Sequence, residues 1–141
     1  MIGNLVIAAA LQAATPMAVQ PAPDWRAAPV TAGTWSWRPI PSGSEAIFQD
    51  YRGPQLVVRC NRAVRAVSLL RTGAIGGAPV VVRTTSIERT LPALATLSAA
   101  DPLLDAIAFS RGRFAVEVAG APRLIVPTWP EAARSIEDCR K

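Results

Sequence analysis

Two cysteines, ten carboxylates, fourteen arginines and one lysine are what this 141-residue chain has to do chemistry with, and it contains no histidine. The missing imidazole removes Ser-His-Asp and Cys-His catalysis, along with the commonest general base and metal ligand. Two widely separated thiols, Cys60 and Cys139, do not make a zinc shell, and if they pair no thiolate nucleophile is left. Asp101 and Asp105 stand four apart on an expected helix and could in principle form an acid pair, but Asp101 in S-A-A-D-P-L-L-D reads better as that helix's N-cap. No G-x-x-x-x-G-K-[ST] or G-x-G-x-x-G occurs, and G-A-I-G-G at 73–77 lacks the lysine and the strand-to-helix context of a phosphate cradle. No metal and no cofactor is expected, and the preferred function is non-catalytic. The rival reading is an enzyme or enzyme inhibitor using Asp101, Asp105 or Glu131 in a cleft.

The arginines point elsewhere. Between Arg52 and Arg89 lie seven of them and one acid, Glu88, a local charge of +6 (seven minus one) within an overall +5, so one half of the fold reads as basic. Arg59, Arg62 and Arg65 surround an expected turn, and Arg111 and Arg113 flank another in S-R-G-R. Guanidinium forks suit carboxylates and phosphates. These five are the candidate contacts to an acidic partner, either an acidic protein face or an envelope polymer; the alternative is plain solvation. Nucleic acid is set aside, because an exported disulfide protein rarely meets any.

Export is read from the first residues, where the apolar run Leu5–Leu11 continues in alanines. That run suits a signal-peptide core and is shorter than the roughly 20 residues a membrane span requires. The alternative is a buried N-terminal strand or helix. Residues 1–20 are thus an expected signal peptide, with a periplasmic destination and no membrane span in the mature chain. Residues 21–33, carrying Pro21, Pro23 and Pro29, read as an extended Pro/Ala-rich tether, with Trp25 as its anchor. Residues 34–141 form the β-rich domain.

Half of the chain is apolar and 18% charged, which excludes a disordered reading. The expected class is mainly β, an antiparallel sandwich or curled sheet of about seven strands with two short helices. T-W-S-W puts Trp35 and Trp37 on one face, over the core. Q-L-V-V-R-C turns Leu56, Val58 and Cys60 inward, and Asn61-Arg62 is a plausible two-residue turn into A-V-R-A-V-S-L-L-R. A strand follows at P-V-V-V-R, while the stretch from there to Ser98 is ambiguous. Asp101, Pro102 and Gly112 bound a first helix with Leu104, Ile107, Ala108 and Arg111 on one face. R-F-A-V-E-V and R-L-I-V-P make a second hairpin. Thr128 and Glu131 stand at capping-box spacing before a last helix, whose Trp129, Ala132, Ala133, Ile136 and Cys139 step along one buried face.

Cys60 and Cys139 therefore point into the same core. In an exported chain they are most simply one disulfide, the alternative being two unpaired buried thiols in a reducing compartment. A bridge closing about 80 residues stabilises by roughly 4 kcal/mol at most.

The strand P-Q-L-V-V-R-C, the run L-L-D-A-I-A-F-S-R-G-R-F-A-V-E-V and the final helix A-A-R-S-I-E-D-C together resemble the layout of small exported bacterial β domains of largely unassigned role. Among these the chain is similar to periplasmic accessory proteins associated with type VI secretion and, more distantly, to the invasion-associated locus B family. The likeness spans residues 54–139. It implies a periplasmic β-sandwich tied by Cys60 and Cys139, with no catalytic residues to carry over.

Overall fold

The computed structural model describes Gly3, residues 9–16 and residues 24–141. Much of the expected signal segment, and Pro21 and Pro23 of the expected tether, lie outside the described residues. Among the described residues, alternating apolar stretches interrupted by Gly and Pro give nine strands: β1 Thr34–Ile40, β2 Gly43–Asp50, β3 Gly53–Asn61, β4 Ala66–Arg71, β5 Val80–Arg83, β6 Glu88–Leu91, β7 Ala95–Ser98, β8 Arg113–Val118 and β9 Leu124–Pro127. Two helices, α1 Pro102–Ala108 and α2 Pro130–Asp138, accompany them among the described residues. The fold is mainly β, as expected, with two strands more than anticipated. The additions, β6 and β7, fall in the stretch that was ambiguous: Pro92 stands between them, and E-R-T-L and A-T-L-S lack the continuous apolar run that marks the equally short β5 and β9.

All pairings are antiparallel. One sheet runs β1-β2-β3-β4-β7 and the other β6-β5-β8-β9. After β4 the chain crosses to the second sheet, returns as β7, passes through α1, and crosses again. Both sheets and both helices contribute to one core, built on Phe48, Leu56, Val58, Leu103, Leu104, Phe114, Leu124 and Ile136. Trp35 meets Phe48 edge to face at 5.6 Å, the arrangement favoured by ring quadrupoles. Its indole N–H donates to the Pro127 carbonyl at 2.9 Å, linking the two sheets. Trp37 shares that face but is only half-buried, lying under the Arg134 guanidinium at 3.4 Å.

The helix boundaries show why local pattern works at one helix and fails at the other. Asp101 caps α1 as expected: its carboxylate accepts from the Leu103 amide at 2.8 Å, with Pro102 opening the helix. The buried face is Leu103, Leu104, Ala106 and Ile107, rotated from the expected stripe, so Arg111 is exposed beyond the helix end. At α2 the expected capping box is absent. Trp129 is the N-cap without a side-chain bond, and Thr128 Oγ1 and Glu131 Oε2 are buried without hydrogen-bond partners. Trp129 is exposed, and Ser135 and Asp138 take places on the buried stripe beside Ala132, Ile136 and Cys139.

Residues 24–33 pack on the outer side of the second sheet. Trp25, 5% exposed, forms a small cluster with Ala28, Ala115 and Ile125, and the Thr31 amide donates to the Ile125 carbonyl at 2.9 Å along the β9 edge. A short turn precedes it, in which the Asp24 carboxylate accepts from the Arg26 amide at 3.0 Å. Among the described residues no helix is long and apolar enough to cross a membrane.

Candidate functional site

The two cysteines, Arg62 and Arg65 lie where the β3–β4 loop, the end of β7 and the end of α2 meet. Cys60 and Cys139 are bonded there, with Cα atoms 5.4 Å apart, and both are essentially buried at 0% and 1% exposure. Gly43, opposite Asn61 in the register, lets β2 approach closely: a Cβ there would meet the Cys60 carbonyl at 2.7 Å.

The expected two-residue turn at Asn61-Arg62 is a four-residue loop, because Asn61 pairs with Ala66 across the hairpin. Asn61 Oδ1 accepts from the Ala63 amide at 3.1 Å, a side-chain-stabilised turn. Arg65 then closes the loop in the left-handed region, φ 48°, the only non-glycine residue with positive φ among those described. Its amide donates to the Arg62 carbonyl at 3.2 Å and its carbonyl accepts from the Ala99 amide at 2.8 Å. The loop is thereby tied to the segment between β7 and α1.

The five candidate arginines do not form one surface. Arg59 joins Arg38 in clamping Glu45 across three strands, at 2.8 and 2.6 Å. Glu45 is 2% exposed; burial alone would raise its pKa, but the bonds from Arg59 and Arg38 outweigh that and hold it below its ordinary value. Arg62 Nε donates to the Asp138 carbonyl at 3.1 Å. Arg113, at the start of β8, is spent on the Ala28 carbonyl of the docked N-terminal segment. Arg111 sits in the loop before β8, its amide held by Thr85 Oγ1 at 2.8 Å. Among the described residues only Arg65 and Arg111, of these five, have guanidinium groups with no ion pair or hydrogen bond. The linear +6 between Arg52 and Arg89 is likewise largely neutralised. Arg52 pairs with Asp50, Arg59 with Glu45, Arg62 with Asp138, Arg83 with Glu117 and Glu88, and Arg89 with Asp101. Arg71 instead clasps the Thr72 and Pro122 carbonyls at 2.7 and 3.0 Å, and burial lowers its pKa.

Beneath the loop lies a polar network that periodicity did not reveal. The Ser44 hydroxyl donates to Asp138 Oδ2 at 2.8 Å and lies 3.2 Å from the Ser135 hydroxyl, all three residues being buried. Burial would raise the Asp138 pKa, yet the Ser44 hydroxyl and the Lys141 ammonium hold it below its ordinary value. The network docks α2 on β2. Its only sequence signal is that Ser135 and Asp138 fall on the apolar stripe of the last helix.

A cleft of about 400 Å³ opens beside the disulfide, lined by Arg65, Ser98, Ala99, Ala100, Asp105, Cys139 and Arg140. Arg140, which sequence reasoning passed over, donates to the Ala99 carbonyl at 2.8 Å, to Asp105 at 2.7 Å and to Glu137 at 3.0 Å. Those contacts hold the guanidinium firmly protonated. The carboxylates of the rival enzymatic reading are dispersed: Asp101 caps α1 and pairs with Arg89 at 2.8 Å, Asp105 lines the cleft, and Glu131 belongs to the start of α2. Among the described residues no three of His, Cys, Asp and Glu gather as a metal shell. Compared with known proteins, the chain matches no family model, no curated protein and no solved structure.

Proposed function

We propose that this chain is a non-catalytic binding module of the cell envelope, exported to the periplasm, which takes an acidic partner at the disulfide-bearing end of its five-stranded sheet. The observation that carries the reading is Arg65. A side chain in the left-handed region costs about 1 kcal/mol that glycine would not incur, and strain of this kind concentrates at functional positions. Here the strained residue is also a cation without a partner among the described residues, exposed beside a cleft, with Val64 exposed next to it. A buried disulfide closing 79 residues of sequence separation suits an oxidising compartment, which supports the export reading. The resemblance to small exported β domains agrees with both.

The test is capture from a periplasmic extract with immobilised full-length protein at about 50 and 300 mM salt. A screened, arginine-led contact should fade with salt and be lost in Arg65→Gly, a substitution the loop backbone accepts. Capture that ignores both changes would refute the proposal.

A further inference from the structure

We propose that the cleft beside the disulfide is a binding site for a small zwitterion, a free amino acid or a dipeptide. This rests on reading the Arg65 end as a binding surface and names the chemistry that the surface takes. Two arginines and one carboxylate line the cleft, but the arginines are not equivalent. Arg140 is committed to Asp105, Glu137 and the Ala99 carbonyl, so it serves as a brace for Asp105 and not as a free cation. Arg65 has no such engagement among the described residues, and its backbone is fixed at both its amide and its carbonyl. A fixed backbone reduces the freedom lost when the fork closes on a carboxylate.

Asp105 supplies the opposite charge. Its side chain is 51% exposed while Arg140 holds one of its oxygens, which leaves acceptor capacity for an incoming ammonium. Ala99, Ala100 and Cys139 also line the cleft, and residues this small and apolar suit a ligand with a small apolar side chain. Arg65 takes the ligand's carboxylate, the acidic group that the proposed function requires, and the Asp105 oxygen left open by Arg140 takes its ammonium; a ligand with both ends satisfies both residues. The volume lies at the low end of the range for small-molecule sites, which matches one or two residues and not an extended chain.

The experiment titrates the full protein with the dipeptide Ala-Ala, its C-terminal amide and its N-acetylated form, following backbone amide resonances by NMR. The expected result is saturable shifts at residues 65, 99, 100, 105 and 140 with Ala-Ala, about tenfold weaker binding of the amide, and weaker binding of the acetylated form. Arg65→Gly should abolish the saturable response. Asp105→Asn, which leaves Arg140 tied to Glu137 and the Ala99 carbonyl, should erase the preference for the free amine over the acetylated one. Absence of saturation, equal affinity for the amide, or unchanged binding in Arg65→Gly would overturn the inference. If the dipeptide fails while salt-sensitive capture of a partner persists, this inference falls alone; loss of both removes the reading beneath it.

Discussion

The two basic turns, Asn61 to Ala66 and Ser110 to Arg113, look alike in sequence and solve the same backbone problem with opposite residues. Each needs one residue in the left-handed region. At S-R-G-R that residue is Gly112, φ 75°, where the conformation carries no steric penalty. At N-R-A-V-R it is Arg65, φ 48°, where glycine would be the easier choice. The side chains diverge in the same sense. Arg113 is drawn into the fold by the Ala28 carbonyl, whereas Arg65 faces a cleft and engages nothing described. One turn binds its arginine into the fold; the other leaves the Arg65 guanidinium without a partner among the described residues. The disulfide, lying under the second kind of turn and not the first, sharpens the contrast.

The largest expected effect is removal of that bridge. Cys60→Ala with Cys139→Ala releases a loop of 79 residues' separation and should lower stability by about 4 kcal/mol in the chain-entropy account, read from chemical denaturation. The comparison predicts where the loss is felt. Hydrogen exchange should accelerate first at the Ala99 amide, which holds the Arg65 carbonyl, while the Thr128 amide, which donates to the Gly112 carbonyl at 3.1 Å, stays protected until global unfolding. Equal acceleration at both would remove the distinction between the turns.

Acid should act on the same end, more weakly, because protonating Asp138 removes ionic contacts and leaves the covalent bridge in place. Asp138 has a folded pKa depressed below 3.8, so its contribution to stability is fully present above the unfolded value and is lost as pH falls through the folded one. Denaturation midpoints should therefore show no Asp138 contribution to pH dependence between 7 and 5, and a loss beginning below about 4. Asp138→Asn, which keeps an oxygen for Ser44, should remove that part of the acid sensitivity and leave the part due to Glu45 and Asp101, whose pKa values are also depressed. An unchanged acid profile in Asp138→Asn would show that the network does not hold α2 in the way described.

What could be read from the sequence was whatever is decided within a few residues. Asp101 followed by Pro102 declared a helix start, alternation in Q-L-V-V-R-C placed Cys60 inward, and Cys139 at helical spacing from Ile136 placed its partner. The strands β6 and β7 fell below that threshold because E-R-T-L and A-T-L-S lack the continuous apolar run that marks the equally short β5 and β9. The capping box at Thr128 failed because a spacing rule does not know where a buried chain turns. Charge was the least legible property. The acids that neutralise Arg59, Arg62 and Arg89 come from Glu45, Asp138 and Asp101, partners that only the fold brings near, so a count along the chain overstated the basic face. The candidate site was half visible: Arg65 belonged to the arginine cluster, but its strain and Arg140 beside it needed three dimensions.

The smallest effects isolate the comparison best, because they exchange the residues at the two left-handed positions and little else. A Cβ added at Gly112 meets nothing within 4 Å, so Gly112→Ala should destabilise through the backbone alone, by about 1 kcal/mol. Arg65→Gly runs the other way: it relieves a penalty of similar size but gives the unfolded chain more freedom, leaving a net gain of about 0.5 kcal/mol. Opposite signs in the two variants, measured by urea denaturation side by side, are expected if Arg65 is present for its side chain and not for the turn. A clear loss of stability in Arg65→Gly would mean that the guanidinium supports the fold after all, and the contrast between the two turns would then be one of packing alone.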